Sequence, residues 1–298
     1  MPFAEKSIRA FREQFHPLFY LRKSKLGRGA IRLVDRPAWI SVPGVGFPVR
    51  GLLVTHGLAF AATGSQEPSC EALVLSCVRH LELRSFWDVG ANIGHYTWLL
   101  KTAVPHLSVV LFEALPANAA LIRQTLDRCS FPDITLVSAG VSEQAGTALL
   151  RTNAVAGATS SLESEGATFE ERHWGVPAGT LSIPLVSIDE QRAHHGSIDL
   201  MKIDVEGHEA AVLRGAQQTI DSDQPILFVE CGHPNHACLL SLENQGYRII
   251  DADHLTTDLR PDVSISNYFG FPSRFSSQVD EVLAAARDLT AQNRRNTA

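Results

Sequence analysis

The 298-residue sequence predicts an α/β protein whose mainly parallel β-sheet is covered by helices on both faces. Three observations predict this fold class. Short apolar runs alternate with amphipathic stretches from Ser85 onward, a glycine-rich turn follows the first apolar run, and acidic residues close several of the runs. In such sheets, ligands bind beyond the carboxyl ends of the strands. We therefore expect the functional site at that edge.

Residues 1–82 differ in character and predict an N-terminal extension. Residues 1–35 are basic and helical in pattern, with phenylalanines among the arginines. Residues 37–64 hold short β-prone runs between prolines and glycines, which predict a β-rich cap, and residues 68–83 predict an amphipathic lead-in helix. We expect the basic helix to dock on its own domain; contact with a membrane surface or an acidic partner is the less favoured alternative.

The alternation that begins at Ser85 predicts a domain over residues 83–275. Its strand candidates are residues 86–89, 108–113, 134–138, 198–203, 226–230 and 247–250, and its helix candidates are residues 96–102, 116–128, 208–221 and 235–245. Residues 142–189 interrupt the rhythm with two strand-like pieces around a polar stretch, which fits either a substrate lid or a mobile surface loop. Residues 276–298 predict a C-terminal helix and a polar tail.

Composition argues against several classes of protein. The net charge of −6 and the pI near 6.0 argue against a nucleic-acid binder. The five cysteines form no Cys-x-x-Cys pair, which favours a reducing cytoplasm over a disulfide framework. No apolar run reaches the roughly 18 residues that span a bilayer. The sequence is also compatible with a homodimer and does not decide between a monomer and a dimer.

The first glycine-rich turn indicates a nucleotide-like ligand. Asp88 closes the first strand, and Gly90, Asn92 and Gly94 follow it with the spacing Gly-x-Asn-x-Gly. Glu113 closes the second strand, where a carboxylate accepts both ribose hydroxyls of an adenosine. Because the turn lacks the Gly-x-Gly-x-x-Gly of dinucleotide sites, S-adenosylmethionine is favoured. The structural alternatives are a turn cap for Asp88 and a surface acid for Glu113.

A second block of ionisable residues predicts the catalytic groups. Lys202 interrupts an apolar strand and needs a partner there, and Asp204, Glu206 and His208 alternate after it. His208 is the favoured general base because histidine titrates near neutral pH, with Asp204 and Glu206 as alternatives or orienting groups. A salt-bridged structural role is the alternative for Lys202. Glu209 is expected to be a first-turn helix acid.

Glu230 closes the strand candidate at residues 226–230 and is expected at the same sheet edge as Asp204. Two adjacent strand-end carboxylates can hold a divalent cation or position a substrate hydroxyl. Positioning is favoured over a cation, and no metal site is firmly predicted.

These blocks together resemble the FkbM family of S-adenosylmethionine-dependent methyltransferases. The resemblance covers residues 83–268 and is carried by Asp-Val-Gly-Ala-Asn-Ile-Gly at 88–94, Phe-Glu-Ala-Leu-Pro-Ala-Asn at 112–118, Ser-Ser-Leu at 160–162 and Lys-Ile-Asp-Val-Glu-Gly-His-Glu at 202–209. It implies the class I methyltransferase fold, a Rossmann-like three-layer sandwich whose seven-stranded, mostly parallel sheet has an antiparallel last strand.

The resemblance also implies roles for individual residues. It implies that Gly90, Asn92 and Gly94 line the cofactor, that Glu113 binds its ribose, and that residues 202–209 face the reacting methyl group. One departure concerns the adenine, because residues 137–140 (Val-Ser-Ala-Gly) offer no acid after the third strand. Ser138 or backbone groups are expected to replace it.

Three functions compete at this point. The favoured one is O-methylation of a hydroxyl on a sugar or natural-product small molecule, which the resemblance implies. A nicotinamide-dependent oxidoreductase is disfavoured by the missing dinucleotide spacing. The third alternative is a protein that binds the cofactor without turnover.

Overall fold

The computed structural model describes residues 24–65, 67–129, 131–152, 162, 179–232, 237–257 and 265–296. The strands are β1 (Pro37–Ile40), β2 (Val49–Leu52), β3 (Ser85–Val89), β4 (Ser108–Phe112), β5 (Ile134–Val137), β6 (Gly140–Val141), β7 (Gly146–Thr152), β8 (Gly179–Val186), β9 (Leu200–Ile203), β10 (Ile226–Gly232), β11 (Arg248–Asp251) and β12 (Ile265–Phe271). The helices are α1 (Lys25–Val34), α2 (Ala59–Thr63), α3 (Pro68–His80), α4 (His95–Ala103), α5 (Pro116–Cys129), α6 (Ile188–His195), α7 (Glu209–Arg214), α8 (Gln217–Asp223), α9 (Ala237–Asn244) and α10 (Val279–Asn296).

Seven strands form the central sheet in the order β11-β12-β10-β9-β3-β4-β5. Neighbouring strands are parallel except for β12, which is antiparallel to both β10 and β11. This sheet confirms the predicted fold class. The alternation from Ser85 did not reveal β12, because its sequence Ile-Ser-Asn-Tyr-Phe-Gly-Phe places a polar residue and a glycine among apolar ones.

Alternate residues of the strands face two separate hydrophobic layers, as the pleat of a strand requires. Phe86 and Leu200 pack with α3, α4, α5 and α10 on one face, whereas Trp87 and Met201 pack with α7, α8 and α9 on the other. The sheet is therefore the middle layer of three. Polar residues in phase with Phe86 and Leu200 face the side that α3 and α4 cover.

The predicted helix over residues 208–221 is two helices, α7 and α8, and this part of the prediction was wrong. Gly215 lies at the break, where a Cβ would come within 2.3 Å of the Ser142 carbonyl oxygen. Asp189 then accepts the Thr219 N–H at 2.8 Å near the start of α8. The close approach of another backbone segment thus ends the first helix.

The interval at residues 142–189 contributes to a second sheet in the order β6-β8-β7, with β7 antiparallel and β6 parallel to β8. Its two strand-like pieces are β7 and β8. The polar stretch between them lies outside the described residues, apart from Leu162.

The N-terminal extension holds the antiparallel pair β1 and β2, followed by a π-helical segment over Leu53–Leu58. The β-rich cap predicted over residues 37–64 therefore continues as helix after Leu52. The helix α3 packs against α10 beside the central sheet. No helix among the described residues has the length and apolar character to cross a membrane.

Candidate active site

A cavity opens at the carboxyl ends of β3, β4 and β9, and we call it the strand-end cavity. It is lined by Val89, Gly90, Asn92, Phe112, Glu113, Ala114, Asn118, Ala139, Gly140, Val141, Leu150, Leu162, Asp204, Val205 and Glu206. The edge of a parallel sheet where ligands are expected therefore carries the cavity.

Gly90 lets two strand ends meet at the floor of this cavity. Its φ is +80°, and a Cβ at this position would lie 1.8 Å from the backbone oxygen of Asp204. The backbone is tied further by the Gly90 N–H, which donates to the Phe112 carbonyl at 3.0 Å, and by the Asp204 N–H, which donates to Val89 at 3.1 Å. Only glycine fits this approach.

Glu113 holds the glycine-rich turn in place from the end of β4. Its Oε2 accepts the Asn92 N–H at 2.7 Å, and its Oε1 accepts the Leu115 N–H at 2.7 Å. Asn92 has a φ of +56°, and its Oδ1 accepts from the Asn118 amide at 3.1 Å. Burial raises the pKa of Glu113 to about 7, although the two N–H donors oppose that rise. The predicted ribose acid thus lines the cavity and braces both adjoining loops.

The other two residues predicted around this turn, Asp88 and Gly94, flank it and face away from the cavity lining. Gly94, with φ +84°, precedes α4, and a Cβ there would touch the Trp98 indole at 2.7 Å. Asp88 is buried and its Oδ2 accepts from the Thr97 hydroxyl at 2.8 Å. Burial raises the pKa of Asp88, and the nearby Lys202 charge opposes that rise. Neither residue lines the strand-end cavity.

Ser138, the predicted adenine contact, points elsewhere. It is exposed, and its hydroxyl accepts from the Arg123 guanidinium at 2.7 Å. The next two residues, Ala139 and Gly140, line the cavity together with Leu150 of β7. Apolar residues, including Leu150 of the second sheet, therefore line the part of the cavity where Ser138 was expected to contact the adenine.

Lys202 is 4% exposed and occupies the same face of the sheet as Asp88, its register partner on β3. Its Nζ donates to Asp204 Oδ2 at 2.8 Å and lies 5.4 Å from the centre of the Tyr96 ring. Burial disfavours the charge, but Asp204 and Asp88 outweigh this effect, and the pKa of Lys202 is raised. The lysine is therefore a fixed cation, paired as its place in an apolar strand requires.

Asp204 also meets Glu230, as their positions at neighbouring strand ends predicted. The two carboxyl groups are hydrogen-bonded, and burial followed by the Asp204 charge raises the pKa of Glu230 well above its ordinary value. Asp204 therefore lies between the Lys202 ammonium and a Glu230 carboxyl whose raised pKa favours its protonated form. Of this pair, Asp204 lines the strand-end cavity.

The remaining members of the predicted string have separate positions. Glu206 lines the cavity with a φ of +55°, and Glu209 Oε1 accepts the N–H groups of Val205 and Gly207 at 3.2 and 3.0 Å. Glu209 therefore stabilises the loop in addition to beginning α7. His208 is half-buried, with its Nε2 2.9 Å from the Ser142 hydroxyl, and it is not among the residues that line the cavity.

Sequence reasoning missed an acidic network that joins the N-terminal extension to this edge. Glu67 accepts from the Tyr96 hydroxyl at 2.7 Å and from the Asn267 amide at 2.9 Å. The Asn267 amide also donates to Asp253 at 3.1 Å, and Asn267 lies opposite Glu230 in the β10–β12 register. We call Glu67, Asp204, Glu230 and Asp253 the carboxyl cluster.

The alternation of side chains along β9 and β10 is a sequence signal that could have located part of this network. Lys202 and Glu230 are each two residues after a buried apolar residue on the α3 side, Leu200 and Phe228. The period of two in a strand places both polar groups on that same side. The partner from α3 could not be inferred this way, because 200 residues separate Glu67 from Asn267.

Two further pairs lie near this network. His95 Nε2 is 3.4 Å from Glu71 Oε1; burial lowers the pKa of His95 to about 4 and raises the pKa of Glu71 to about 7. At the end of β11, the buried Asp251 receives the backbone N–H of His254 at 3.1 Å, and its Oδ2 lies 2.9 Å from the Nδ1 of that histidine. Each pair therefore lies next to a member of the carboxyl cluster, Glu71 next to Glu67 and Asp251 next to Asp253.

Within the described part of the chain, no three histidine, cysteine, aspartate or glutamate side chains converge in a group that could hold a metal ion. The Asp204–Glu230 pair is joined by a hydrogen bond and by the ammonium of Lys202. This arrangement fits positioning of a hydroxyl better than cation binding.

Residues 88–249 match the family described as "Methyltransferase FkbM domain", and this match spans more than half of the chain. No curated protein matches the chain at a significant level.

Several solved methyltransferase structures are similar in outline. An FkbM methyltransferase from Methylobacillus flagellatus KT is 19% identical with a TM-score of 0.41, over 64% of this chain and 44% of that one. A precorrin-6y C5,15-methyltransferase from Geobacter metallireducens GS-15 is 12% identical with a TM-score of 0.43, over 78% and 100%. Human methyltransferase-like protein 13, in complex with SAH, is 10% identical with a TM-score of 0.43, over 76% and 90%. The chain spans less than half the length of the Methylobacillus protein.

Proposed function

The chain belongs to the FkbM methyltransferase family, and we propose that it is an S-adenosylmethionine-dependent O-methyltransferase that acts on a hydroxyl of a sugar or natural-product small molecule. One observation carries the proposal: Glu113 and Asp204 line the same cavity. A carboxylate suited to a ribose and a carboxylate suited to an acceptor hydroxyl thus meet at one strand edge.

The residues of the strand-end cavity fit this cofactor. Glu113 is placed to accept the ribose hydroxyls, and Gly90 allows the close approach of the Asp204 backbone that shapes the floor of the cavity. Ala139, Leu150 and Leu162 supply an apolar wall for the adenine. The bound cofactor would supply a methyl group that its sulfonium has already activated.

Asp204 is the group that we assign to the acceptor proton. It lines the cavity, and its Oδ2 accepts from the Lys202 ammonium at 2.8 Å. Burial and the Asp204 charge raise the pKa of its neighbour Glu230, which favours the protonated form of Glu230. The acceptor hydroxyl would give its proton to Asp204 as its oxygen gains the methyl group. General-base catalysis of this kind contributes about 10²- to 10⁴-fold in rate.

His208, the base that the sequence favoured, remains the competing assignment. Its Nε2 is engaged at 2.9 Å with Ser142, whereas Asp204 reaches the cavity directly. We therefore place His208 as a residue that stabilises the loop between β9 and α7, and Asp204 as the catalytic residue.

A ligand screen followed by an acceptor screen tests the proposed function. Thermal-shift and calorimetric titrations would compare S-adenosylhomocysteine (SAH) with NAD and NADP, and we expect stabilisation by SAH alone. Methyl transfer would then be followed by mass spectrometry with glycosides and polyketide alcohols as acceptors. Stabilisation by NAD would favour an oxidoreductase, and SAH binding without methyl transfer to any acceptor would favour a non-catalytic binding protein.

A further inference from the structure

The helix α1 turns a large apolar stripe toward solvent. Leu26 is 89% exposed, Leu33 69% and Val34 56%. The spacing of residues 26, 30 and 33 places Leu26, the exposed Ala30 and Leu33 on one side of the helix. Ile31 is buried. The helix therefore docks on its own domain by a narrow contact and leaves most of its apolar face exposed.

Positive charge is concentrated in the same part of the chain. Residues 1–36 contain nine lysine and arginine residues against three acidic ones, whereas the chain as a whole has a net charge of −6. Arg28 and Arg36 belong to this basic group within the described residues. The helix α1 therefore combines an apolar stripe with three of these nine basic residues, Lys25, Arg28 and Arg32.

A neighbouring segment also exposes apolar side chains. The π-helical segment Leu53–Leu58 contacts α1 and exposes Leu53 and Leu58 at 47% and 43%. Surface leucines scattered singly need no explanation, but several on adjoining elements indicate a contact surface.

We propose that α1 binds the surface of an anionic lipid membrane, with Leu26 and Leu33 in the acyl boundary and the basic residues at the headgroups. The combination of an exposed apolar stripe with cationic residues is the signature of an interfacial helix. A nucleic-acid partner would use the cations but not the leucines. A stable dimer needs roughly 800 Å² per partner, which is more than these few side chains expose.

Vesicle flotation of the full-length chain tests the proposal without reference to methyl transfer. The probes are vesicles of phosphatidylcholine alone and of phosphatidylcholine with phosphatidylglycerol. The test variant is Leu26→Glu/Leu33→Glu, and the matched control is Leu149→Glu/Leu240→Glu. The control makes the same charge change at leucines that are 63% and 61% exposed on β7 and α9. A second variant, Arg28→Gln, removes one cation and no apolar side chain.

We expect the wild-type chain and the control to float with the anionic vesicles only, and to detach as salt is raised. The leucine variant should lose roughly tenfold or more of its partition coefficient, and Arg28→Gln about fivefold. Circular dichroism and thermal unfolding establish that both variants are folded. If the leucine variant does not fold, the loss of vesicle binding in Arg28→Gln and the salt dependence of wild-type binding still test the proposal.

Three results would overturn the proposal. One is the absence of wild-type binding to anionic vesicles. Another is binding that neither Leu26→Glu/Leu33→Glu nor Arg28→Gln weakens, or that phosphatidylcholine alone supports equally. The third is self-association of the wild-type chain in sedimentation velocity that the leucine variant abolishes, because the stripe would then be covered by a second copy.

Discussion

The two sides of the catalytic edge are built differently. The strand-end cavity is shaped by backbone groups, with glycine at its floor and one carboxylate that accepts two N–H donors. The carboxyl cluster is built from side chains contributed by the residue before α3, by β10 and by the segments after β9 and β11, next to the buried Lys202. The first side depends on close backbone approach, and the second depends on how protons are shared among acids.

This difference indicates which side tolerates change. A backbone cradle fails when any side chain is added, because nothing can move aside. A cluster of acids keeps its shape when one carboxyl becomes an amide, but its proton distribution changes. Substitutions on the first side should therefore affect binding and folding, and those on the second side should affect turnover and pH dependence.

The largest effect is expected from Gly90→Ala. The added Cβ would lie 1.8 Å from the Asp204 carbonyl oxygen, at a φ of +80°. We expect loss of measurable SAH binding by calorimetry and a loss of at least about 3 kcal/mol in the free energy of unfolding. Gly146→Ala, where a Cβ meets nothing within 4 Å, is the control. Normal SAH affinity in the Gly90→Ala variant would show that the floor of the cavity is not part of the cofactor site.

Asp204→Asn should reduce turnover by about 10²- to 10⁴-fold, because the amide cannot accept the acceptor proton. The affinity for SAH should change far less, since Glu113 and Gly90 are untouched. Single-turnover methyl transfer and calorimetry would measure the two quantities. His208→Ala is the matched comparison, and we expect it to lose less turnover than Asp204→Asn. A larger loss of turnover in His208→Ala than in Asp204→Asn would assign the general base to His208.

Glu113→Gln should weaken SAH binding by about tenfold or more, because a ribose hydroxyl loses a charged acceptor. The raised pKa of Glu113, about 7, adds a pH signature. The ionised form accepts from ribose hydroxyls best, so wild-type affinity should increase as pH rises through 7. The Glu113→Gln variant should lack this increase, and calorimetry at pH 6 and pH 8 would show it. Equal affinities of the two proteins at pH 8 would exclude Glu113 as the ribose acid.

The smallest effect is expected from Glu71→Gln beside the carboxyl cluster. Burial raises the pKa of Glu71 from 4.5 to about 7. The folded protein therefore binds this proton more tightly than the unfolded chain, and the associated stability is present below pH 4.5 and lost as pH rises through 7. Relative to wild type, the variant should gain about 1–3 kcal/mol between pH 5 and pH 8 in urea unfolding. The exposed Glu243→Gln should show no such trend.

Gly90, Asn92 and Glu113, three of the six predicted cofactor residues, line the cavity, and the signals that indicated them are local in sequence. The turn from Asp88 to Gly94 and the acid at Glu113 lie within 26 residues, and each has a spacing tied to one strand end. For Lys202, the need for an acidic partner was predicted, whereas the choice of Asp204 became apparent only in the structure. Ser138 marks the limit: the strand end was predicted, but its side chain turns to Arg123.

The cluster side was predictable only in part. Asp204 and Glu230 were placed together because neighbouring parallel strands end at the same edge. Glu67 and Asp253 were missed because their positions depend on packing of α3 and on the antiparallel β12, which the periodicity of residues 265–271 did not reveal. A contact between residues that are 200 positions apart in the sequence, such as Glu67 and Asn267, leaves no local sequence pattern from which it could be predicted.

The two N–H groups that Glu113 accepts have a thermodynamic consequence. They hold the glycine-rich turn and the β4–α5 loop in position within the protein itself, so the recognition surface is preorganised. A ligand that enters it need not order these loops, and the conformational entropy of that ordering is lost during folding instead. We therefore expect SAH to bind with a fast association rate and without a slow loop-closing phase at this side of the site.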